Sequence, residues 1–193
     1  MTVLFGGTFD PVHNGHVSAV RKIIDVLCPD RMIIMPARIN PFKTGSVQCA
    51  TALQRLEMCR LAFEGSGEVS DLEIHREGVS YTIDTLEALM ACAPDEYYLA
   101  VGSDSLRSLP AWHRAEDIVR IANVVTVSRR CGEDLLPYAR AIEDMGGKVT
   151  LITADPFEVS STQLRWMLSN NEDAAGLIPD KVYDYIKKNR IYQ

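Results

Sequence analysis

The sequence predicts an α/β fold, a parallel sheet with helices on both faces, and three observations carry that prediction. Short apolar runs of strand type recur along the chain, segments with apolar residues at helical spacing separate them, and glycine, proline, serine or aspartate punctuate the turns between. With 193 residues, 47% hydrophobic and 24% charged, the chain fits one domain spanning 1–193 with a substantial core.

Val3 to Phe5 is the first strand-type run and ends in Gly6-Gly7. After a turn with Asp10 and Pro11, residues Val17, Val20, Ile24 and Leu27 recur at helical spacing, with the helix starting near Asn14. Arg31 to Pro36 is a second buried strand, and the aperiodic loop from Ala37 to Val47 carries Phe42 and Lys43. A helix runs from Ala52 to Phe63, where Arg55, Glu57 and Arg60 alternate with apolar residues, and Gly65-Ser66-Gly67 ends it. Val69 to Ile74 alternates like a half-exposed strand. Ser80 or Thr82 can cap a helix that buries Ile83, Leu86, Leu89 and Met90. Tyr97 to Val101 is a buried strand ending at Gly102, and Ser103-Asp104-Ser105 starts a helix at its carboxyl end, where open α/β sheets keep their ligand crevices. Val124 to Val127 and Val149 to Ile152 are further strands around a helix from about Leu135 to Met145, and two C-terminal helices cover roughly Ser161 to Leu168 and Asp180 to Lys188.

Chemistry concentrates in two stretches. In Gly6-Gly7-Thr8-Phe9-Asp10-Pro11-Val12-His13-Asn14-Gly15-His16 the glycines let backbone approach a bound group beside a helix N-terminus, where amide groups favour phosphate. His13 and His16, three apart, can turn toward one ligand and donate to its oxygens. In Ser160-Ser161-Thr162-Gln163-Leu164-Arg165, Ser160 and Gln163 fit a capping box; Arg165 opposes the helix dipole and is better placed if an anion binds there. Neither GxGxxG nor GxxxxGK[ST] occurs, and no nucleophile and base stand paired for covalent catalysis.

A net charge of −6 argues against broad nucleic-acid binding. Cys28, Cys49, Cys59, Cys92 and Cys131 are odd in number and lack a CxxC pair, which points to reduced thiols, most of them small core residues, and to no protein zinc site. Without an apolar run of about 20 residues or a basic leader with an apolar core, the expectation is a cytoplasmic protein.

The GGTFDPVHNGH opening resembles the GxFDPxHxGH signature of the HxGH nucleotidyltransferases. With PARINPFK, GVSYTIDTLEAL, VGSDSLRSLPAWHRAEDIV and VSSTQLR the resemblance covers most of the chain and points to bacterial nicotinate mononucleotide adenylyltransferases. It implies a Rossmann-like doubly wound sheet, transfer of AMP from ATP to nicotinate mononucleotide, and Mg²⁺ held mainly by the ATP phosphates, with a homo-oligomer among the possibilities. By the same resemblance Gly6, Gly7, Thr8, Phe9, His13, His16, Gly102, Asp104, Ser161, Thr162 and Arg165 bind ATP. Lys43, Thr82, Thr85, Asp104 and Trp112 take the mononucleotide, and His13, His16, Lys43 and Arg165 serve catalysis. On the residues alone, Trp112 also fits a core anchor, Lys43 a solvated loop lysine and Asp104 a helix cap. One position departs from the pattern: where family members commonly have His before the loop lysine, this chain has Phe42.

Overall fold

Parallel strands cannot be joined by tight hairpins, so each crossing needs a connection over a sheet face, and helices supply it. This is a computed structural model that describes residues 1–43, 49–128, 133–153 and 159–193. The first half of the chain reads β1 (Thr2–Gly7), α1 (Asn14–Leu27), β2 (Arg31–Pro36), α2 (Ala52–Ala62), β3 (Glu68–Val69), α3 (Leu72–His75) and α4 (Thr82–Cys92). The second half reads β4 (Tyr97–Gly102), α5 (Ser103–Ser108), α6 (Ala115–Ile121), β5 (Ala122–Ser128), α7 (Leu136–Asp144), β6 (Val149–Thr153), α8 (Ser161–Ser169) and α9 (Asp180–Lys188). Short 3₁₀ turns occupy Pro41–Lys43 and Leu109–Ala111.

The sheet order is β3-β2-β1-β4-β5-β6, all parallel, which is the doubly wound order of a Rossmann-like fold. Val3 of β1 pairs with Met32 on one side and Tyr98 on the other. Side chains alternate across the sheet: Val3 and Phe5 join the layer of Val20, Ile23, Leu164 and Ile186, while Leu4 joins that of Ile83, Leu86 and Ile118. Winding reverses between β1 and β4. At that point the connections leave toward opposite faces, and the carboxyl ends of the two strands open a crevice.

The floor of the crevice is held by an arginine. Arg55 of α2 is 0% exposed and donates to the carbonyls of Thr8 (2.7 Å), Ala37 (2.6 Å) and Arg38 (3.0 Å), the residues that carry β1 and β2 into their loops. Burial pulls its guanidinium below the ordinary range, and the neighbouring Asp10 charge works against that fall.

Several expectations need correction. Of the run Val69 to Ile74 only Val69 is strand, the end of the two-residue edge strand β3, and α3 follows, because the Ser70 hydroxyl accepts from the Leu72 amide and turns the chain; Glu73 is buried by bonding rather than by sheet alternation. Tyr81, not Ser80 or Thr82, is the N-cap of α4; the Ser80 hydroxyl instead accepts from the Arg38 amide at 3.0 Å. Of the described cysteines only Cys59 is buried, and Cys28, Cys49 and Cys92 are exposed; Cys131 lies outside the described residues. Helix α6 had no sequence expectation behind it.

Arg55→Met keeps the volume of the side chain but leaves three buried carbonyls without their donor. It should lower unfolding free energy by about 3 kcal/mol, read from denaturant melts. A loss below ~1 kcal/mol would show that the clamp is redundant.

Candidate active site

At the switch point between β1 and β4 the crevice encloses about 1350 Å³. One wall presents Gly6, Gly7, Thr8, His13 and His16; the N-terminus of α8 faces it with Ser161 and Thr162, and Gly102 and Asp104 mark the end of β4. The far end is aromatic, formed by Phe42, Tyr81 and Trp112 with Thr82 at the start of α4.

The glycines play two parts. A Cβ on Gly6 would meet nothing within 4 Å, so the crevice comes right up to its backbone, whereas a Cβ on Gly7 would strike the Phe9 ring at 2.8 Å. At Gly7 the missing Cβ makes room for the Phe9 ring, while the Gly7 backbone stays on the crevice wall. Phe9 itself, 2% exposed with φ 51°, packs edge-on against Phe5, Phe63 and His16 and does not line the crevice. It is a backing for His16. The His13 and His16 rings lie 3.7 Å apart at 30°, and His16 Nδ1 accepts from the His13 amide at 3.2 Å. An accepting Nδ1 leaves the ring proton on Nε2, which makes that atom the donor of His16.

The turn between β1 and α1 is fastened by distant segments. The Asp10 carboxylate accepts from Tyr192 Oη (2.7 Å) and from the amides of Cys49 and Ala50 (3.2 Å each). Buried against that carboxylate, the Tyr192 phenol is pushed far above its ordinary range. Arg165 Nη1 donates to the Asp10 carbonyl at 2.8 Å and Nη2 to Thr162 Oγ1 at 3.2 Å; Ser161 Oγ donates to the Pro11 carbonyl at 2.9 Å. Arg165 does not line the crevice. What the start of α8 turns toward an anion is its amides, while the Ser160 hydroxyl accepts from that of Gln163.

At the other end, Thr85 is 0% exposed, outside the lining, and donates to Glu73 Oε1 at 2.6 Å while accepting from Arg76 Nη2 at 2.8 Å. Ser80 also bonds the Glu73 carboxylate, which burial pushes up. Thr85 thus braces the start of α4 from behind, and Thr82 is the residue of the pair that reaches the crevice. Trp112 Nε1 donates to Ser108 Oγ at 3.1 Å, which orients the indole. Lys43 closes the Pro41–Lys43 turn, and its side chain lies outside the described residues. Glu133, which sequence reasoning passed over, accepts from Ser103 Oγ and from Arg107 Nη2, both at 2.7 Å, and borders the crevice beside Asp104. Only its position next to a strand end could have signalled it.

The sequence model of the family described as cytidylyltransferase-like matches residues 4–166. A relative from Bacillus licheniformis named "probable nicotinate-nucleotide adenylyltransferase" is 35% identical over 98% of this chain and 97% of its own length. One of the same name from Pseudomonas syringae pv. tomato is 34% identical over 98% and 92%. The chain belongs to the nicotinate-nucleotide adenylyltransferase family. Among solved structures, a nicotinic acid mononucleotide adenylyltransferase of Plasmodium falciparum, complexed with NaAD, superimposes with a TM-score of 0.81 at 22% identity, covering 99% of this chain and 96% of that one. The likeness covers nearly the whole of both chains, so this chain shares that fold. Among the described residues no helix is long and apolar enough to cross a membrane.

Glu133 generates a pH prediction. Burial works to raise its carboxyl, but the bonds from Ser103 and Arg107 outweigh it and hold the group below the ordinary 4.5. Its contribution to stability is therefore present above that value and disappears as pH falls through the lowered one. Glu133→Gln removes the titration, so its melting temperature should fall less than that of the wild type between about pH 6 and pH 3. Parallel declines in thermal melts would remove Glu133 from the acid limb.

Proposed function

We propose that this chain transfers AMP from ATP to nicotinate mononucleotide, giving nicotinic acid adenine dinucleotide and pyrophosphate, a step in NAD biosynthesis. The observation that carries the reading is the pairing of His13 with His16 beside the open face of Gly6, across a single crevice from an aromatic wall and a helix N-terminus. The names of the relatives from B. licheniformis and P. syringae support it, as do the Plasmodium structures determined with NaAD and with APC.

In this reading an oxygen of the mononucleotide phosphate attacks the α-phosphorus of ATP in line. The bond to the β-phosphate bridge breaks and pyrophosphate leaves with the electron pair. Little covalent work falls to the protein, so alignment and charge neutralisation dominate. His16 Nε2 and His13 donate to phosphate oxygens; Thr8 and the amides of Ser161 and Thr162 hold the β- and γ-phosphates, and Gly102 and Asp104 border the nucleoside. Arg165, tied to the Asp10 carbonyl, acts by fixing the loop against α8. Lys43 adds charge from the turn it closes. Among the described residues no group of three His, Cys, Asp or Glu side chains is placed to hold a metal ion. In this reading the ATP phosphates would carry a divalent cation, Mg²⁺, which would supply charge neutralisation for the leaving pyrophosphate. At the far end, Trp112 meets the pyridine ring and the first amides of α4 meet its carboxylate.

Incubation with ATP, Mg²⁺ and a panel of mononucleotides, with pyrophosphate and dinucleotide as readouts, tests the reaction. His16→Ala should lower kcat by about 10²–10³-fold with little change in KM, because its donor follows charge that grows in the transition state. A kcat near wild type would take His16 out of the chemistry.

Selectivity for the acid over the amide follows from the donors at α4. A carboxamide turns an NH₂ toward groups that only donate, so kcat/KM should favour nicotinate over nicotinamide mononucleotide by at least about tenfold. Equal values for both would refute carboxylate reading and leave adenylyl transfer intact.

A further inference from the structure

Phe42 is 58% exposed, a large apolar side chain left open at the mouth of the crevice. Its ring centroid lies 5.8 Å from that of Trp112, with the planes tilted by 43°. The two jaws of this wedge are anchored differently. Trp112 is oriented through its ring nitrogen by Ser108. Phe42 is held at its backbone, where its amide donates to Asn40 Oδ1 at 2.9 Å, while Asn40 Nδ2 donates to Thr8 Oγ1 at 3.0 Å. The turn is therefore registered to the phosphate-side loop, and the Phe42 ring projects from it.

We propose that Phe42 and Trp112 form a two-sided aromatic clamp that takes the cationic pyridine ring of the mononucleotide between them, with Phe42 as a specificity-determining residue. The proposal rests on the reaction assigned above. N-glycosidic linkage makes the pyridine nitrogen quaternary, so the ring carries a fixed positive charge, and the faces of two aromatic rings attract such a charge. A ring held at optimal contact on both faces needs about 7–8 Å between the flanking centroids, so the wedge opens by roughly 1–2 Å on binding. The exposed Phe42 ring has solvent to swing into, whereas the indole is fixed. A ring seated in the opened wedge covers apolar surface of Phe42 that otherwise faces water, and the Asn40 link ties the clamp to Thr8.

The test measures steady-state kinetics of the Phe42→Ala, Phe42→Leu and Phe42→Tyr variants with ATP and nicotinate mononucleotide. It adds titration of the mononucleotide against Trp112 fluorescence in a Trp166→Phe background, where Trp112 is the sole indole of the two in the chain. Phe42→Ala and Phe42→Leu should each raise the KM for the mononucleotide roughly three- to thirty-fold, weaken the fluorescence midpoint in parallel and leave the KM for ATP unchanged. Phe42→Tyr should restore both readouts. Wild-type turnover with a Phe42→Leu variant indistinguishable from it overturns the clamp alone. Wild-type protein that adenylylates no pyridine mononucleotide overturns the reaction assignment, and the clamp with it.

Discussion

A buried guanidinium under two loops is the constraint on which the crevice depends. Arg55 satisfies carbonyls of Thr8, Ala37 and Arg38 that would otherwise face the interior without a donor, and it does so at the places where β1 and β2 stop being strand. A buried cation is costly to desolvate, and the three carbonyl bonds together with the nearby Asp10 charge are what offset that cost. The arrangement leaves the loops little freedom. They must leave the sheet in directions that put Gly6 at the open crevice on one side and carry the chain toward Phe42 on the other.

Around this floor, many polar groups named from the sequence turn out to support others. Thr85 and Glu73 hold the start of α4; Arg165 and Ser161 hold the turn at Asp10 and Pro11; Phe9 packs behind His16. The groups left to meet a ligand are largely backbone amides, imidazoles and aromatic faces. That division suits a transferase whose rate depends on alignment, since donors fixed in advance need no reorganisation when charge moves. Electrostatic preorganisation here is a matter of backbone geometry kept rigid by buried bonds.

The sheet was legible because parallel strands buried on both faces have continuous apolar runs, and β1, β2, β4 and β5 each showed one, while the edge strand β6, with only Ile152 buried, was legible from its short run of strand-type residues. Likewise α9 has the bounds its periodicity implied, Asp180–Lys188. Gly6, His13, His16 and Ser161 could be read as lining the crevice because they sit close to strand ends and helix starts. Other features were hidden. Arg55 reads as part of a solvated helix face, and nothing in its neighbours says that three carbonyls await it. Glu73 lies in a stretch whose alternation imitates a strand, although its burial comes from Thr85, Ser80 and Arg76, which lie later in the chain. Arg165 and Thr85 stand behind the crevice rather than on its lining, because the atoms their side chains bind are set by contacts 155 and 12 residues away.

The ties on the turn at Asp10 and Pro11 also bear on the order in which the protein is made. Ser161 reaches Pro11 across 150 residues and Tyr192 reaches Asp10 across 182, and the Asn14 side chain donates to the Gly176 carbonyl across 162. A nascent chain emerging from the ribosome can pair its central strands, and can dock α2 with Arg55 beneath the loops, well before these partners exist. The histidine-bearing turn is then only half secured until the segments from Ser161 onward have been translated. The fully tied form of that turn should thus be among the last features the growing polypeptide acquires.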